Sequence, residues 1–315
     1  ETLSDAIPEK LSQCIVSGNE IQTIASMCNA TNSLDFSIME RTAFTKMYKK
    51  AKEKGTEAIS MEYDIPQEEV EVLLPSLIVL NRLLKYTVND SILLSNVLLS
   101  DAVMFEMLFP KEASFVVKAY EEFTLQSATS IAERFGRDLN HISRVSSVAL
   151  EIYDKMKKLH GYKLRERTLL QVSAILQDIG KYVNVKNHAL LSYNTITNLD
   201  IVGINDHERL IIATVCYYHN GNIPSMDSPI YNQLSQEDRV MVSKLAAILQ
   251  ISNAINTSHS PKFEQVNVNM KNGKLNIYLT TLKNINLEKW AFIAKSKLFR
   301  EVYGLNATII KRGVL

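Results

Sequence analysis

The sequence predicts a chain that combines α/β and all-α architecture in three parts. Residues 1–112 mix helical periodicity with one strand-like run, residues 113–258 are almost entirely helical in pattern, and residues 259–315 alternate like a β-hairpin before a final helix. Apolar residues recur every 3.6 positions on a helix and every second position on a strand, so these patterns distinguish the two. We therefore expect an α/β segment, an all-α domain and a small α+β tail domain.

The first part contains too few strands to form a complete α/β domain by itself. Helical periodicity runs through Ile38–Met47 and again through Val70–Leu84, with the polar, loop-like stretch Lys54–Gln67 between them. The apolar run Ser91–Ser95 is bounded by turn-forming residues and predicts one buried strand. Because a sheet must be covered on its apolar faces, we expect these elements to complete their core with chain that precedes Glu1.

The helical part centres on Leu169–Ile179, which is apolar on almost every side, as expected for the central helix of a bundle. Gly180 follows and predicts the end of that helix. In the tail, apolar residues alternate on both sides of Asn272-Gly273, which is a strong signal for a hairpin with a type I′ turn. A helix over Asn286–Tyr303 and a last strand over Leu305–Lys311 complete the predicted elements.

Composition indicates a globular protein of a reducing compartment. Apolar residues make up 46% of the 315 residues and charged residues 22%, so the chain can bury a full core. No apolar run approaches the roughly 18 residues that cross a bilayer. Cys14, Cys28 and Cys216 are too few and too widely spaced for a disulfide framework or a thiolate metal cluster. We therefore expect a cytoplasmic protein with no membrane partner.

Charge is unevenly distributed along the chain. Residues 1–110 carry 9 Lys and Arg against 16 Asp and Glu, whereas residues 111–315 carry 26 against 18. An excess of one charge attracts ligands of the opposite charge, so the later part suits a polyanion, although a solvated basic surface has the same composition. The chain has one Trp and no interleaving of aromatic and basic residues, so we expect no nucleic-acid partner.

Side chains that can carry chemistry are spread over several predicted helices of the helical part: His141, Gln177, Asp178, His188 and His219. An ionised Asp178 at the end of an apolar helix needs a cation, a metal or several hydrogen bonds. Imidazole and carboxylate together suit borderline metal cations. The set is chemically sufficient for a metal site without being specific for one, because a single His at a helix end is more often structural.

Several short motifs follow one another in a fixed order. The first part contains Ser17-Gly-Asn-Glu-Ile21 and Leu74-Pro-Ser-Leu77; the helical part contains His141-Ile-Ser-Arg-Val145, Leu176-Gln-Asp-Ile-Gly180 and Lys186-Asn-His-Ala189; the tail contains Lys295 to Gly304. None is diagnostic alone, but their order and spacing resemble the C-terminal half of the exopolyphosphatase and guanosine pentaphosphate phosphatase family. The resemblance covers nearly the whole chain.

This resemblance implies both a fold and an activity. Residues 1–112 would be part of one lobe of an actin-like (ribonuclease H-like) ATPase fold, and residues 113–258 a helical domain of the HD type. The implied activity is hydrolysis of inorganic polyphosphate or guanosine pentaphosphate, with Mg²⁺ in the intact enzyme. The catalytic residues of the family lie upstream of the Ser17 loop, so we expect no catalytic residue and no cofactor within this chain.

The resemblance also implies phosphate-binding residues. Ser17, Gly18 and Asn19 would close the phosphate cleft, while Arg144 and Lys181 flank the His and Asp positions of the helical domain. Both basic side chains suit phosphate, because Lys is a point charge and Arg can donate two parallel hydrogen bonds. Six more basic residues lie within positions 155–167. They could line a phosphate channel, or they could lie at a solvated helix junction.

Two departures from the HD pattern bear on metal binding. The HD-like set comprises His141, Gln177, Asp178, His188, His219 and Asn253. Gln177 stands where an HD site has His, and Asn253 stands where it has Asp. Neutral amides bind divalent cations far more weakly than imidazole or carboxylate, so we expect no metal here.

In the first part, Ser100-Asp-Ala102 replaces the Arg-Glu-Gly of many members, which removes one phosphate-contacting cation.

Three functions remain open from the sequence. The intact protein releases terminal phosphate from polyphosphate or guanosine pentaphosphate, or the chain is a catalytically silent polyphosphate-binding or regulatory module. In the third, the helical domain is an independent metal-dependent HD phosphohydrolase. Gln177 and Asn253 argue against the third. A homodimer is compatible with each function.

Overall fold

The computed structural model describes residues 10–32, 36–95, 97–111, 114–260, 262–271 and 273–313. The chain divides into two compact units, residues 1–114 and 115–315, and each is described on its own. It is mostly helical, with one small sheet in each unit. Among the described residues, no helix combines the length and the apolar character needed to cross a bilayer.

The first unit is a small mixed sheet with helices packed against it. Its elements are β1 (Ile15–Val16), α1 (Asn19–Met27), β2 (Thr31–Asn32), β3 (Phe36–Glu40), α2 (Arg41–Tyr63), α3 (Gln67–Leu83), β4 (Ser91–Ser95) and α4 (Leu99–Leu108). The strand order is β1-β4-β3-β2, with β1 parallel to β4 and the other pairs antiparallel. The predicted strand is confirmed as β4, and the helix predicted over Val70–Leu84 is confirmed as α3.

The helix predicted to begin near Ile38 begins at Arg41 instead. Residues 36–40 form β3, in which Ser37 and Met39 are buried while the residues beside them are exposed. This strand pairs with β2 on one side and β4 on the other. The ladder on both edges outweighs the local helical pattern, because strand formation depends on cross-strand neighbours more than on intrinsic preference.

The loop predicted over Lys54–Gln67 is also wrong, because α2 continues to Tyr63. The backbone leaves the helical conformation only at Gly55, whose φ of 80° suits a residue without Cβ. Beyond this kink Ile59 is fully buried in the core of the first unit. Glu62 pairs with both Lys50 and Lys54, so an ion-pair group spans the kink. The stretch is polar in composition because only a narrow face of it is buried.

The second unit begins as a helical bundle and ends in a three-stranded sheet. Its elements are α5 (Ser114–Arg134), α6 (Leu139–Lys155), α7 (Lys157–His160), α8 (Leu164–Leu176), α9 (His188–Ile196), α10 (Asp206–Tyr218), α11 (Pro229–Asn232), α12 (Gln236–Ile255), β5 (Gln265–Lys271), β6 (Lys274–Thr280), α13 (Asn286–Tyr303) and β7 (Asn306–Arg312). Almost every residue of 168–180 is buried, as predicted for a central helix, and so is every residue of 245–252 in α12.

The tail elements agree closely with the prediction. Strands β5 and β6 pair in register across a two-residue loop, with Lys271 opposite Lys274, and Gly273 has a φ of 66°. Asn272 lies outside the described residues. The chain then crosses through α13 to β7, which pairs parallel to β6. Apolar residues of the tail share one hydrophobic core with the bundle. The division into domains at residues 112 and 258 stays a prediction.

A tight turn after α8 positions the residues of the candidate site. The helix ends at Leu176, and a 3₁₀ turn follows over Ile179–Tyr182. The prediction that Gly180 ends this helix is therefore wrong. Gly180 allows close packing instead, since a Cβ there would lie 2.3 Å from the carbonyl oxygen of His188 and 2.5 Å from the amide nitrogen of Ser192. The start of α9 is thus pressed directly against the turn.

The hydroxyl of Ser192 joins α9 to the same turn. It donates to the carbonyl oxygen of Gln177 at 2.8 Å and accepts from the amide of Gly180 at 2.9 Å. All three groups are buried, so each backbone group has its partner in the side chain of Ser192. Gly180 and Ser192 together fix the backbone on both sides of Asp178.

We predict that Gly180→Ala lowers the free energy of unfolding by about 2–3 kcal/mol, because the new methyl group would overlap backbone atoms that cannot rotate away. Chemical denaturation followed by circular dichroism measures this loss. Gly313→Ala is the matched control, since no atom lies within 4 Å of a Cβ built there, and it should change stability by less than about 0.5 kcal/mol. Equal stability of the two variants would contradict the close approach.

We predict that Ser192→Ala costs about 2–3 kcal/mol, because it leaves a buried carbonyl and a buried amide without partners. Ser252→Ala is the control: the hydroxyl of Ser252 is equally buried but only adds a bond to the Ile248 carbonyl within its own helix. That variant should lose less than about 1 kcal/mol. The same denaturation experiment compares them, and a Ser192 variant no weaker than the Ser252 variant would refute the bridging role.

Candidate functional site

A buried carboxylate, Asp178, lies at the centre of the candidate site. It precedes the 3₁₀ turn and is 6% exposed. Its Oδ2 accepts from the ammonium of Lys181 at 2.7 Å. Its Oδ1 has no hydrogen-bond donor among the described residues. One oxygen of the carboxylate is therefore held in place while the other remains available.

Two buried imidazoles face the available oxygen. The Nε2 atom of His219, at the C-terminal end of α10, lies 3.3 Å from Oδ1 of Asp178, and Nε2 of His188, at the start of α9, lies 3.6 Å from it. The two Nε2 atoms are 3.3 Å apart. On the far side of each ring, Nδ1 contacts a backbone carbonyl: that of Val185 at 2.8 Å for His188 and that of Cys216 at 2.5 Å for His219.

A third imidazole lies on the other side of the carboxylate. Nε2 of His141, on α6, is 3.8 Å from Oδ2 of Asp178. The amide of Asn256 donates to Nδ1 of His141 at 2.8 Å, and the ring of His259 stacks on the His141 ring with centroids 4.0 Å apart. The sequence did not single out His259, which lies beyond the end of α12 in a left-handed backbone conformation with φ 51°.

The buried groups shift one another's proton affinity. Burial by itself raises the pKa of the Asp178 carboxyl, but the adjacent His219 and Lys181 outweigh it and hold that pKa well below its usual range. Burial, with a further contribution from His259, lowers the pKa of His141 to about 4. Burial and the neighbouring His219 likewise lower the pKa of His188. The carboxylate is therefore ionised at neutral pH, and His141 and His188 are neutral.

The two neutral amides of the HD-like set have different surroundings. Gln177 is 1% exposed, and neither its amide nitrogen nor its amide oxygen has a partner among the described residues. Asn253 is half-buried on α12, and it is Asn256, one turn later, that contacts His141. The two asparagines share one helix face, so sequence spacing alone could not distinguish them.

Another residue of α12 supports His219. The buried side-chain amide of Gln250 donates to the carbonyl oxygens of Tyr218 at 2.7 Å and Asn222 at 2.8 Å. These carbonyls lie on either side of His219, where α10 has ended and its last carbonyls lack helical partners. Gln250 therefore fixes the backbone that carries His219. No sequence pattern indicates this contact, because it joins segments that are distant along the chain.

Basic side chains surround the carboxylate and its histidines. Lys181 is paired with Asp178, whereas no ion pair among the described residues involves Arg144 or Lys295. The Nε of Arg144 is buried without a partner among the described residues. Burial and the charge of Lys181 lower the pKa of His259, and Arg144 adds a smaller contribution in the same direction. Burial lowers the pKa of Lys295, on α13, which also senses the charges of Asp178 and Lys181. Lys295 was missed as a site residue because it belongs to the predicted tail domain.

Three of the six basic residues in the run at positions 155–167 form ion pairs within the chain. Arg165 binds Glu208 with two hydrogen bonds, and Arg167 binds Asp154 in the same way. Lys155 lies 3.9 Å from Glu151 one turn away. These pairs favour the interpretation of a helix junction over a phosphate channel for this run.

Acidic residues lie beside the predicted phosphate loop of the first unit, which comprises Ser17, Gly18 and Asn19. Ser17 donates to the carbonyl oxygen of Val97 at 3.2 Å, and Gly18 precedes helix α1, which begins at Asn19. An open cavity beside Asn19 is also lined by the carboxylates of Glu20, Glu68 and Glu69. Carboxylates repel phosphate, so the described residues lend this loop little support as an anion site.

Asp178, His188 and His219 also form a group that can hold a metal ion, because their ligand atoms all lie within 4.8 Å of one another. The group does not fit Mg²⁺, which prefers six oxygen ligands and retains several waters. Two imidazole nitrogens with one carboxylate oxygen suit borderline cations such as Zn²⁺. The Mg²⁺ implied by the family resemblance is therefore not a match for this site.

Comparison with protein families gives a match that overlaps the whole of this site. Residues 125–298 match the family model described as Ppx/GppA phosphatase, domain III. The matched region extends from within α5 into α13, so it includes Asp178, the three histidines and Lys295. It covers more than half of the chain, and the chain therefore belongs to the Ppx/GppA phosphatase family.

Proposed function

We propose that the intact protein is a phosphoanhydride hydrolase that releases terminal phosphate from inorganic polyphosphate or from guanosine pentaphosphate. The observation that carries this proposal is the family match over residues 125–298. In the proposal, residues 1–112 belong to an actin-like lobe, the helical domain is of the HD type, and the protein works in the cytoplasm. The catalytic base and Mg²⁺ come from parts of the family fold that precede the Ser17 loop.

The role proposed for this chain is to hold the polyphosphate. Arg144 and Lys295 support it, because both are partly buried cations without a carboxylate partner among the described residues. A desolvated cation gains most from an anion, since it has already lost part of its hydration. The phosphate-binding role of Ser17, Gly18 and Asn19 remains part of the proposal, although three glutamates beside that loop count against it.

A binding or regulatory module without catalysis is the second candidate function. Gln177 favours it, because a neutral amide with two unpartnered atoms replaces the His of an HD-type centre. Both candidates predict polyphosphate binding, and they differ only in turnover. A homodimer is compatible with either.

We expect the full-length protein with Mg²⁺ to release inorganic phosphate from polyphosphate or guanosine pentaphosphate, and this 315-residue chain alone to release none. A colorimetric phosphate assay on both substrates makes the comparison, with EDTA in place of Mg²⁺ as the control. If the full-length protein bound polyphosphate but released no phosphate from either substrate, the silent module would replace the hydrolase.

We expect Arg144→Gln and Lys295→Gln each to weaken polyphosphate binding by this chain about 3- to 10-fold, because each removes one charge-assisted phosphate contact. Fluorescence anisotropy with end-labelled polyphosphate measures the affinity, and a salt series should give a shallower slope for both variants. Lys155→Gln removes a surface charge paired with Glu151 and is the control. Wild-type affinity in both folded variants would contradict the proposed grip.

A further inference from the structure

The three ligand atoms around Asp178 are spaced as a bound metal requires. Oδ1 of Asp178 and the Nε2 atoms of His188 and His219 are separated by 3.3, 3.3 and 3.6 Å. Four ligands at about 2.0–2.1 Å from a tetrahedral ion lie about 3.3–3.4 Å from one another. Octahedral Mg²⁺ at about 2.1 Å requires about 3.0 Å between neighbouring ligands. The spacing in this chain matches the tetrahedral case.

The hydrogen bonds of the two rings determine which atoms can act as ligands. A backbone carbonyl can only accept, so Nδ1 of His188 and Nδ1 of His219 must each carry a proton to bond Val185 and Cys216. When neither ring carries a second proton, both Nε2 atoms present lone pairs. Metal-binding histidines are typically fixed in this way, with the outer N–H donated to a carbonyl.

In that state, three electron-rich atoms converge without a proton between them. Oδ1 of Asp178 has no donor among the described residues, and the two facing Nε2 atoms cannot bond each other as neutral acceptors. The side chains are 6%, 7% and 0% exposed for Asp178, His188 and His219, so bulk water does not screen their repulsion. A cation between the three atoms relieves it.

Surrounding contacts hold this group in place. Lys181 binds the other oxygen of Asp178, Gln250 fixes the carbonyls on either side of His219, and Ser192 joins the turn before Asp178 to α9. Gln177 and Asn253, which argued against metal binding, are not members of the group. Their loss from the HD pattern therefore leaves these three ligands intact.

We propose that this chain binds one divalent transition-metal cation of the Zn²⁺ class through Asp178, His188 and His219. The carboxylate and two imidazoles supply three ligands, and a water or a substrate oxygen can take the remaining position. The site is distinct from the Mg²⁺ of the proposed phosphate release and does not rest on that proposal.

The test is metal binding by the purified chain. The chain is dialysed against a chelator, then against chelator-free buffer, and Zn²⁺ or Co²⁺ is added before unbound metal is removed. We expect about one Zn²⁺ or Co²⁺ per chain by elemental analysis, and a rise in melting temperature with either ion that an equal concentration of Mg²⁺ does not give. Bound Co²⁺ should show the intense visible absorption of four- or five-coordinate cobalt. Absence of bound Zn²⁺ and Co²⁺, or the weak spectrum of octahedral Co²⁺, would overturn the proposal.

Variants identify the ligands. Asp178→Asn, His188→Ala and His219→Ala should each weaken Zn²⁺ binding at least about 100-fold, beyond the 10–100-fold typical of outer partners. His207→Ala is the matched control, because His207 also pairs with a carboxylate, that of Asp238 at 3.0 Å, but on the exposed side of α10. It should bind Zn²⁺ like the wild type. Retained affinity in any folded ligand variant would refute that ligand.

The remaining alternative is that a proton, and not a metal ion, lies between His219 and Asp178. Nitrogen NMR distinguishes the two. If His219 carries a second proton that it donates to Asp178, nitrogen NMR of the metal-free chain will show a protonated imidazole at neutral pH, and adding Zn²⁺ will leave its signals unchanged. That result overturns the proposal even if a variant fails to fold. Ring-nitrogen signals that shift on adding Zn²⁺ and saturate at one equivalent support it.

Discussion

The desolvated charge of Asp178 constrains much of the second unit. An ionised carboxylate is costly to bury unless cations or several donors surround it, and six segments of the unit carry the groups that surround Asp178 or support its neighbours. The 3₁₀ turn supplies Lys181, α6 supplies His141, and the adjoining ends of α9 and α10 supply His188 and His219. From farther along the chain, Gln250 on α12 fixes the backbone around His219. Helix α13 brings Lys295 close enough for the charge of Asp178 to affect the pKa of its ammonium group. The close contact between Gly180 and α9 brings the start of that helix, which carries His188, next to the turn that carries Asp178.

This arrangement changes how the degenerate HD pattern should be interpreted. Gln177 and Asn253 stand where the HD pattern implied by the family resemblance has His and Asp, but Asp178, His188 and His219 form a group that could hold a metal ion. The basic side chains around it, Arg144 and Lys295, suit an anion next to a metal. In our proposal, the domain binds a cation through residues next to the two amide positions, with its own preference for the cation.

Much of the fold could be predicted from the sequence, because the patterns involved are local. The hairpin at Gly273, the helix over 286–303 and the strand β4 follow from periodicity and turn chemistry. The strand at 36–40 could not, because its pairing with two distant strands decides its conformation. The members of the site were recognised by residue type, whereas Asn256, His259, Gln250 and Lys295 were not, because their contacts join segments far apart in sequence. Ligand spacing of 3.3–3.6 Å is likewise a tertiary property that no sequence pattern contains.

Anomalous X-ray diffraction from crystals of the chain grown with Zn²⁺ tests the central claim most directly. Data collected on the two sides of the zinc absorption edge should place one peak about 2.0–2.2 Å from Oδ1 of Asp178 and from the Nε2 atoms of His188 and His219. A map without a peak between these three atoms, in crystals from protein saturated with Zn²⁺, would contradict the account and leave the cluster as a hydrogen-bonded network.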